Sequence, residues 1–544
     1  MSKNKPLSAA KRAWFSREII ASNGVGPQSL VRNAYGQIIN EISFVDGETN
    51  SLDRSFDVYG RLIVNNGSSY AYDTAGYLAS ISNAIAVTKY RYAEDRTDAG
   101  YSITFPNGTI FRRSLTRDTY RRSLVTNIVN SVADMPIETL AYTYDALNRP
   151  ISRNADIFGY NERGEVVLSC RDAENAEESY SYDHIGNLLT SSVNAETNTY
   201  TSNNRNQYTS ILRASVSPRE TSYDLDENLT RHGEWTYAYD SGNRLVSVAL
   251  DDSVVATFAY DAQGRRVKKV AADGTHRYFY DGWLLVYEHV VHSNNTTNEI
   301  EYVWGKDISG TRDGAAGIGG LLYLKLDGEI YVPRYDAYGN ILGYRDAQGS
   351  VVAQYAYDAF GNTIAQFESK SDAFSLRFST KYFDVKTGLY YYGYRYYKPQ
   401  IMRWLSEDPI EEEGGLNLYT FCMNSSLCMV DPLGDVAVTD IPRIMDTKKW
   451  TVGAALMRHW LSLDSKVPAT QNETIVKMDW VLGFDRAKKV YDKIFSKKQY
   501  VNQAARREIT AMINRTLKGA EGSFCSLNRP ASQVESDYVN TRPV

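Results

Sequence analysis

Along most of the chain, apolar and polar residues alternate with a period of two in short runs that end at a recurring Tyr-Asp pair. Thr236-Tyr237-Ala238-Tyr239 shows the alternation, with both tyrosines on one face of an extended strand. Copies read FDVYGRL from Phe56, YDTAGYL from Tyr72, YDALNRPI from Tyr144, YNERGEV from Tyr160 and YDHIGNL from Tyr182. They continue with YDLDENL from Tyr223, YDSGNRL from Tyr239 and YDAQGRRV from Tyr260. YDAYGNIL from Tyr335 and YDAFGNTI from Tyr357 follow a glycine-rich break at 309–320. Each copy predicts a strand, a turn and a second strand. The aspartate can accept from the backbone two residues on, and a Gly or Asn supplies the positive φ of a tight turn. An apolar residue such as Leu62, Leu78, Leu188, Leu245 or Ile341 opens the next strand. No single hairpin buries its own face, so the copies must stack into one continuous sheet.

Composition sharpens this picture. A chain of 544 residues is too long for one compact core. Its 43% hydrophobic and 23% charged residues are those of a folded protein, and a net charge of −5 argues against a nucleic-acid binder as a whole. Tyrosines number 42 against 17 phenylalanines, which suits half-buried strands whose ring has a polar tip. Cys170, Cys422, Cys428 and Cys525 are scattered and histidines number six, so no metal-ligand pattern forms and no cofactor is expected. The cysteines read as free thiols of a chain made in a reducing cytoplasm. The N-terminus, MSKNKPLSAAKRAWFSREII, is basic but lacks the apolar stretch of a signal peptide, and no run approaches a membrane span. Export would call for a specialised secretion system or lysis.

The repeats resemble the YD repeats of Rhs proteins, of the C components of bacterial Tc toxins and of teneurins, over residues about 30 to 435. That resemblance implies a mainly β protein, a spiralling YD-repeat sheet wound into a shell. It further implies closure by an Rhs-associated core, with a small α-helical domain after it. The expected division is a lead-in at 1–30, the YD shell at 31–375, the core at 376–435 and a variable C-terminal domain at 436–544. The core resemblance rests on GLYYYGYRYYKP from Gly388, RWLSEDP from Arg403, GLNLYTF from Gly415 and VDPLG from Val430.

In relatives this core is an aspartyl autoprotease with two Asp-Pro-x-Gly-Leu motifs. Asp408 and Asp431 stand at the matching positions, and the resemblance puts the cut between Asp435 and Val436. Such chemistry needs two carboxyls close enough that one stays neutral as acid while the other is ionised as base. Arg403 precedes the first aspartate and is expected to orient a carboxylate or carbonyl. This chain departs from the pattern at several places. Glu411 and Glu412 replace Gly-Leu in the first motif, and Asp435 replaces the final Leu of the second. Met402 stands for a Gly, and Ser425-Ser426 for Asn-Pro. The alternative stays open that both Asp-Pro pairs are Asx turns closing the fold.

Beyond Val436 only Tyr491, Tyr500 and Tyr538 remain, and 18 Lys and Arg stand against 11 Asp and Glu. Helical spacing of apolar residues predicts helices over 450–463, 473–498 and 500–518. His459 is the segment's only histidine, which excludes a His-pair nuclease and a zinc deaminase. The run VKMDWVLGFDRAKKVYD resembles an uncharacterised domain found downstream of Rhs cores. The family resemblance implies a polymorphic toxin with a cognate immunity protein and a secretion-system or Tc-type delivery component. Two readings of another kind remain: a structural or carbohydrate-binding YD-repeat surface protein, and a decayed orphan copy.

Overall fold

The turn predicted at each Tyr-Asp pair forms in the computed structural model, which describes residues 17–22 and 26–438 apart from 122, 195, 214 and 215. At Asp57 one carboxylate oxygen accepts from the amides of Tyr59 and Arg61, both at 2.9 Å. Asp358 does the same with Phe360 at 2.9 Å and Asn362 at 2.8 Å. Its second oxygen takes the side chain four residues on: Arg61, Arg149, Arg244 and Arg265, or Asn187, Asn340 and Asn362, at 2.6 to 2.8 Å. Where that side chain is arginine, its guanidinium also covers the next copy's tyrosine. Arg61 lies 4.5 Å from the Tyr72 ring and Arg149 4.7 Å from Tyr160.

The tyrosine of each pair has a second function. Pairing slips by one residue at Tyr72, Tyr182, Tyr239 and Tyr357, a bulge in which the ladder leaves a carbonyl over. The phenol of the following copy reaches that carbonyl. Tyr72 donates to Leu62 at 2.9 Å, Tyr182 to Val166 at 2.7 Å, Tyr335 to Leu321 at 2.8 Å and Tyr357 to Ile341 at 2.8 Å. Phenylalanine has no atom for this bond, which explains the excess of tyrosine.

The units join into one antiparallel sheet of thirty-three strands, from β1 (Arg17–Ser22) to β33 (Thr363–Phe367), in which successive strands pair. The stretch expected as a lead-in already belongs to it, through β1 and β2 (Gly26–Arg32). Late strands return onto early ones. Arg54 of β4 (Glu48–Phe56) holds Asp281 of β26 (Gly274–Asp281) across 227 residues of chain. Arg113 donates to the carbonyls of Tyr335 and Asp336, and the Ala359 amide donates to Glu178 across 181 residues. The sheet therefore coils. A second, four-stranded sheet follows: β34 (Tyr382–Asp384), β35 (Leu389–Tyr391), β36 (Tyr396–Lys398) and β37 (Arg403–Trp404). Its Tyr390, Tyr397 and Trp404 share one hydrophobic cluster with Val248, Phe258, Tyr278 and Tyr344 of the coil.

Two buried charged groups fasten this small sheet to the coil. Arg266 is fully buried, its guanidinium 4.7 Å from each of the Tyr278, Tyr382 and Tyr391 rings. Glu288, also buried, accepts from the phenols of Tyr382 at 2.8 Å and Tyr302 at 3.0 Å, and pairs with His276 Nδ1 at 2.8 Å. The described residues all lie in one compact unit, which ends at Thr439. The helices expected at 450–463, 473–498 and 500–518 lie outside the described residues.

Two outcomes follow from these bonds. Tyr357→Phe strips a buried carbonyl of its donor and is expected to lower unfolding stability by about 1–3 kcal/mol, measured by urea denaturation. Tyr59→Phe, at an 81% exposed turn tip, should change nothing. Burial opposes the charge on His276, but Asp273 and Glu288 beside it prevail and raise its pKa. Burial likewise opposes the charge on Glu288, yet His276 and the Tyr382 hydroxyl hold its pKa below the ordinary value. The His276 contribution is complete below its unfolded pKa and is lost as pH rises through the raised one. The Glu288 contribution is lost as pH falls through the lowered one. His276→Gln should flatten the alkaline limb of a melting-temperature-versus-pH curve and weaken the acid limb as well, because it removes the main partner that holds the Glu288 pKa down.

Candidate autoproteolytic site

The two Asp-Pro turns meet on one guanidinium, which belongs to Arg395. Gly393-Tyr394-Arg395 links β35 to β36, and the arginine side chain is buried against the Trp404 ring at 4.3 Å. Its Nη2 lies 2.7 Å from Asp408 Oδ2 and 3.8 Å from Asp431 Oδ2. Its Nε donates to the Gly434 carbonyl at 2.6 Å, and Nη1 to the Leu418 carbonyl at 3.0 Å. One cation thus holds both carboxylates and the backbone one residue ahead of Asp435.

Local turn chemistry presents each aspartate. Asp431 Oδ1 accepts from the amides of Leu433 at 3.2 Å, Gly434 at 2.7 Å and Asp435 at 3.1 Å. Asp408 Oδ1 accepts from the Ile410 amide at 3.1 Å. In both turns the fourth residue is left-handed, Gly434 at φ 81° and Glu411 at φ 54°. Glu411 takes this geometry in spite of its side chain, at about 1–2 kcal/mol of strain. Met402 is left-handed too, at φ 56°. The Ser425 and Ser426 hydroxyls bond the carbonyls of Gly164 and Ala359, so they tie the core to the coil. Beyond Asp435 the chain turns back, and Val438 exchanges two backbone hydrogen bonds with Val430, at 2.8 and 3.0 Å.

Burial lifts the pKa of both carboxyls. For Asp408 the Arg395 charge and the Ile410 amide oppose the rise, and Asp431 adds to it. For Asp431, Arg395 opposes it and Asp435 adds to it. Desolvation pulls Arg395 down against the two aspartates that hold it up. Two carboxyls biased towards the neutral form, sharing one cation, can hold one proton between them. That is the charge state acid–base cleavage of a peptide requires.

Asp408 and Asp431 are brought together, whereas Arg403 is not with them. Its guanidinium lies 3.7 Å from the Tyr208 ring, donates to Asn187 Oδ1 at 2.6 Å and bonds the Asn206 carbonyl. It braces the core against two turns of the coil. Arg395 occupies the place expected for it. One signal was available in the sequence: a lone arginine in the aromatic run LYYYGYRYYK must be buried, and a buried cation needs an anion.

A coiling antiparallel sheet built of Tyr-Asp hairpins is the architecture of a YD-repeat shell protein. The profile of the teneurin YD-shell family matches residues 147–426, more than half of the chain, and the chain belongs to that family. A family of unknown function (DUF6402) matches residues 436–543. The chain is 31% identical to the tRNA nuclease WapA of Bacillus subtilis (strain 168) over 270 residues, 47% of this chain and 11% of that one. It is 27% identical to the toxin subunit YenC2 of Yersinia entomophaga over 397 residues, 64% of this chain and 40% of that one. The crystal structure of TcdB2-TccC3 matches with a TM-score of 0.62 at 19% identity, over 75% of this chain and 24% of that one. The alignments span less than half of each relative. Among the described residues no helix is long and apolar enough to cross a membrane.

Arg395→Met leaves the buried Asp431 and the half-buried Asp408 without their cation and is expected to cost about 3–5 kcal/mol, read as a drop in unfolding midpoint. Arg403→Met should leave the Asp408–Asp431 pair, and any pH dependence it confers, intact.

Proposed function

We propose that this chain is the shell and junction of a polymorphic toxin that cuts itself between Asp435 and Val436, freeing the segment that begins at Val436. The single observation that carries this reading is the placement of Asp408 and Asp431 on one nitrogen of Arg395, at a turn after which a second family begins. Three amides on one oxygen of Asp431 offset part of the rise that burial gives its pKa, and on that ground it takes the part of base. It takes a proton from a water, and the water oxygen bonds to the Asp435 carbonyl carbon. Asp408 protonates the Val436 nitrogen as the peptide bond breaks, leaving an Asp435 carboxylate and a Val436 amine. A tRNA nuclease and a toxin subunit among the relatives support a toxic role for the downstream segment, which this reading sets in competition between bacteria. A secretion-system or Tc-type component would deliver it, and a cognate immunity protein would protect the producer.

A second reading is favoured by rings at turn tips, Tyr35, Tyr59 and Tyr120, which are 85%, 81% and 94% exposed. On it the uncut sheet is a surface that stacks on carbohydrate rings.

Intact mass of the purified chain beside Asp408→Asn and Asp431→Asn tests the first reading. The expected result is a fragment starting at Val436 from the unchanged chain and a whole 61.3 kDa species from both variants. A fragment starting at Pro432 would show simple Asp-Pro lysis, and three whole chains would make the aspartates turn residues. Either outcome overturns the proposal, and glycan retention by the whole chain would then favour the second reading.

A further inference from the structure

The cleavage turn is roofed by a residue of the coil whose own position depends on the earliest strands. Asp281-Gly282-Trp283 forms the turn after β26. Its Asp281 carboxylate is gripped from three sides: Arg54 Nη2 at 2.5 Å, Asn65 Nδ2 at 2.8 Å and Arg312 Nη2 at 2.6 Å. Arg54 and Asn65 come from β4 and β5 (Leu62–Asn65), more than two hundred residues earlier in the chain. Arg265 Nη1 holds the Gly282 carbonyl at 2.7 Å. Every backbone and side-chain anchor of this turn is thus a group of the coil.

On its other side the turn presents Trp283 to the core. The indole meets the Tyr394 ring edge-on at 5.0 Å and 66°. A β-carbon at Gly393 would lie 3.2 Å from both the Trp283 ring and the Leu433 side chain, so both pack into the space that a side chain there would fill. The Tyr394 amide donates to the Leu433 carbonyl at 2.9 Å. The next residue is Arg395, which holds the Gly434 carbonyl and Asp408. Contacts therefore run without a gap from Arg54 and Asn65, through the Asp281 turn and Trp283, to the backbone two residues before the cleavage site.

We infer that Trp283 is a positioning residue that makes self-cleavage conditional on closure of the coil: only when β4 and β5 have docked on Asp281 does its ring press Gly393-Tyr394 and Leu433 into register with Arg395. The inference rests on the proposed cut after Asp435. Geometry of this kind is steep, because a displacement of about 1 Å at a reacting centre lowers a rate on the order of a hundredfold. Trp283 touches neither aspartate in this arrangement. Its effect passes through the backbone at 393–395 and 433–434.

Full-length chains made in a cell-free translation system and quenched at intervals give the rate at which the Val436 fragment appears. Trp283→Ala and the remote Arg54→Met are expected to slow it by about tenfold or more, and Trp283→Phe, which keeps a ring over Gly393, to stay within about threefold of the unchanged chain. Melting temperatures of the same chains, each carrying Asp431→Asn so that all stay whole, show whether the fold survives. Cleavage of Trp283→Ala at the unchanged rate overturns the inference while the autoproteolysis reading stands. A Trp283→Phe chain as slow as Trp283→Ala overturns it as well, since bulk stability and not ring placement would then govern the rate. An unchanged chain that never cuts overturns both.

Discussion

One carboxylate oxygen receiving two amide hydrogens at the Tyr-Asp turn is the interaction on which the rest of the sheet depends. It fixes a three-residue loop, Val58 to Gly60 between Asp57 and Arg61, and the strand pairing slips one pair beyond it, between Ser55 and Phe56. The bulge leaves a carbonyl over, and the next copy's phenol takes it. Each copy thus supplies a bond that its predecessor lacks. Stability passes along the chain as a nearest-neighbour property, in the manner of repeat proteins.

Charge is handled in the interior by rings as much as by counter-ions. Arg266 has aromatic faces about its guanidinium, and turn arginines such as Arg61 and Arg149 serve an aspartate and a tyrosine at once. Tyrosine suits both tasks because its face attracts cations and its tip donates a hydrogen bond. The core is docked by this same chemistry, with Tyr382 and Tyr391 reaching the coil and Glu288 collecting phenol donors.

The coil was legible in the sequence because its signals are local. A Tyr-Asp pair, a Gly or Asn and an apolar restart all lie within seven residues, and each has a turn geometry behind it. Asp408 and Asp431 could be read from their prolines and spacing. For Arg395 the aromatic run signalled a buried cation, but not which anions it holds, because they lie 13 and 36 residues away. Arg403 drew attention by standing close to Asp408 in sequence, but strand β37 turns its side chain towards Asn187 and Tyr208. The Asp281 turn was invisible for the same reason: its meaning lies in a contact across 227 residues.

The pairing of Val438 with Val430 bears on force. A pull on the chain from beyond residue 438 meets two backbone hydrogen bonds before it reaches the turn that carries Asp435 and Val436. Those bonds lie across the two antiparallel segments and are loaded together. The turn behind them is therefore mechanically sheltered, and the arrangement around Arg395 feels tension only after the clasp has opened. On the proposed cut, breaking the covalent chain and letting go of its downstream end would thus be two separate events, with different resistances and different rates.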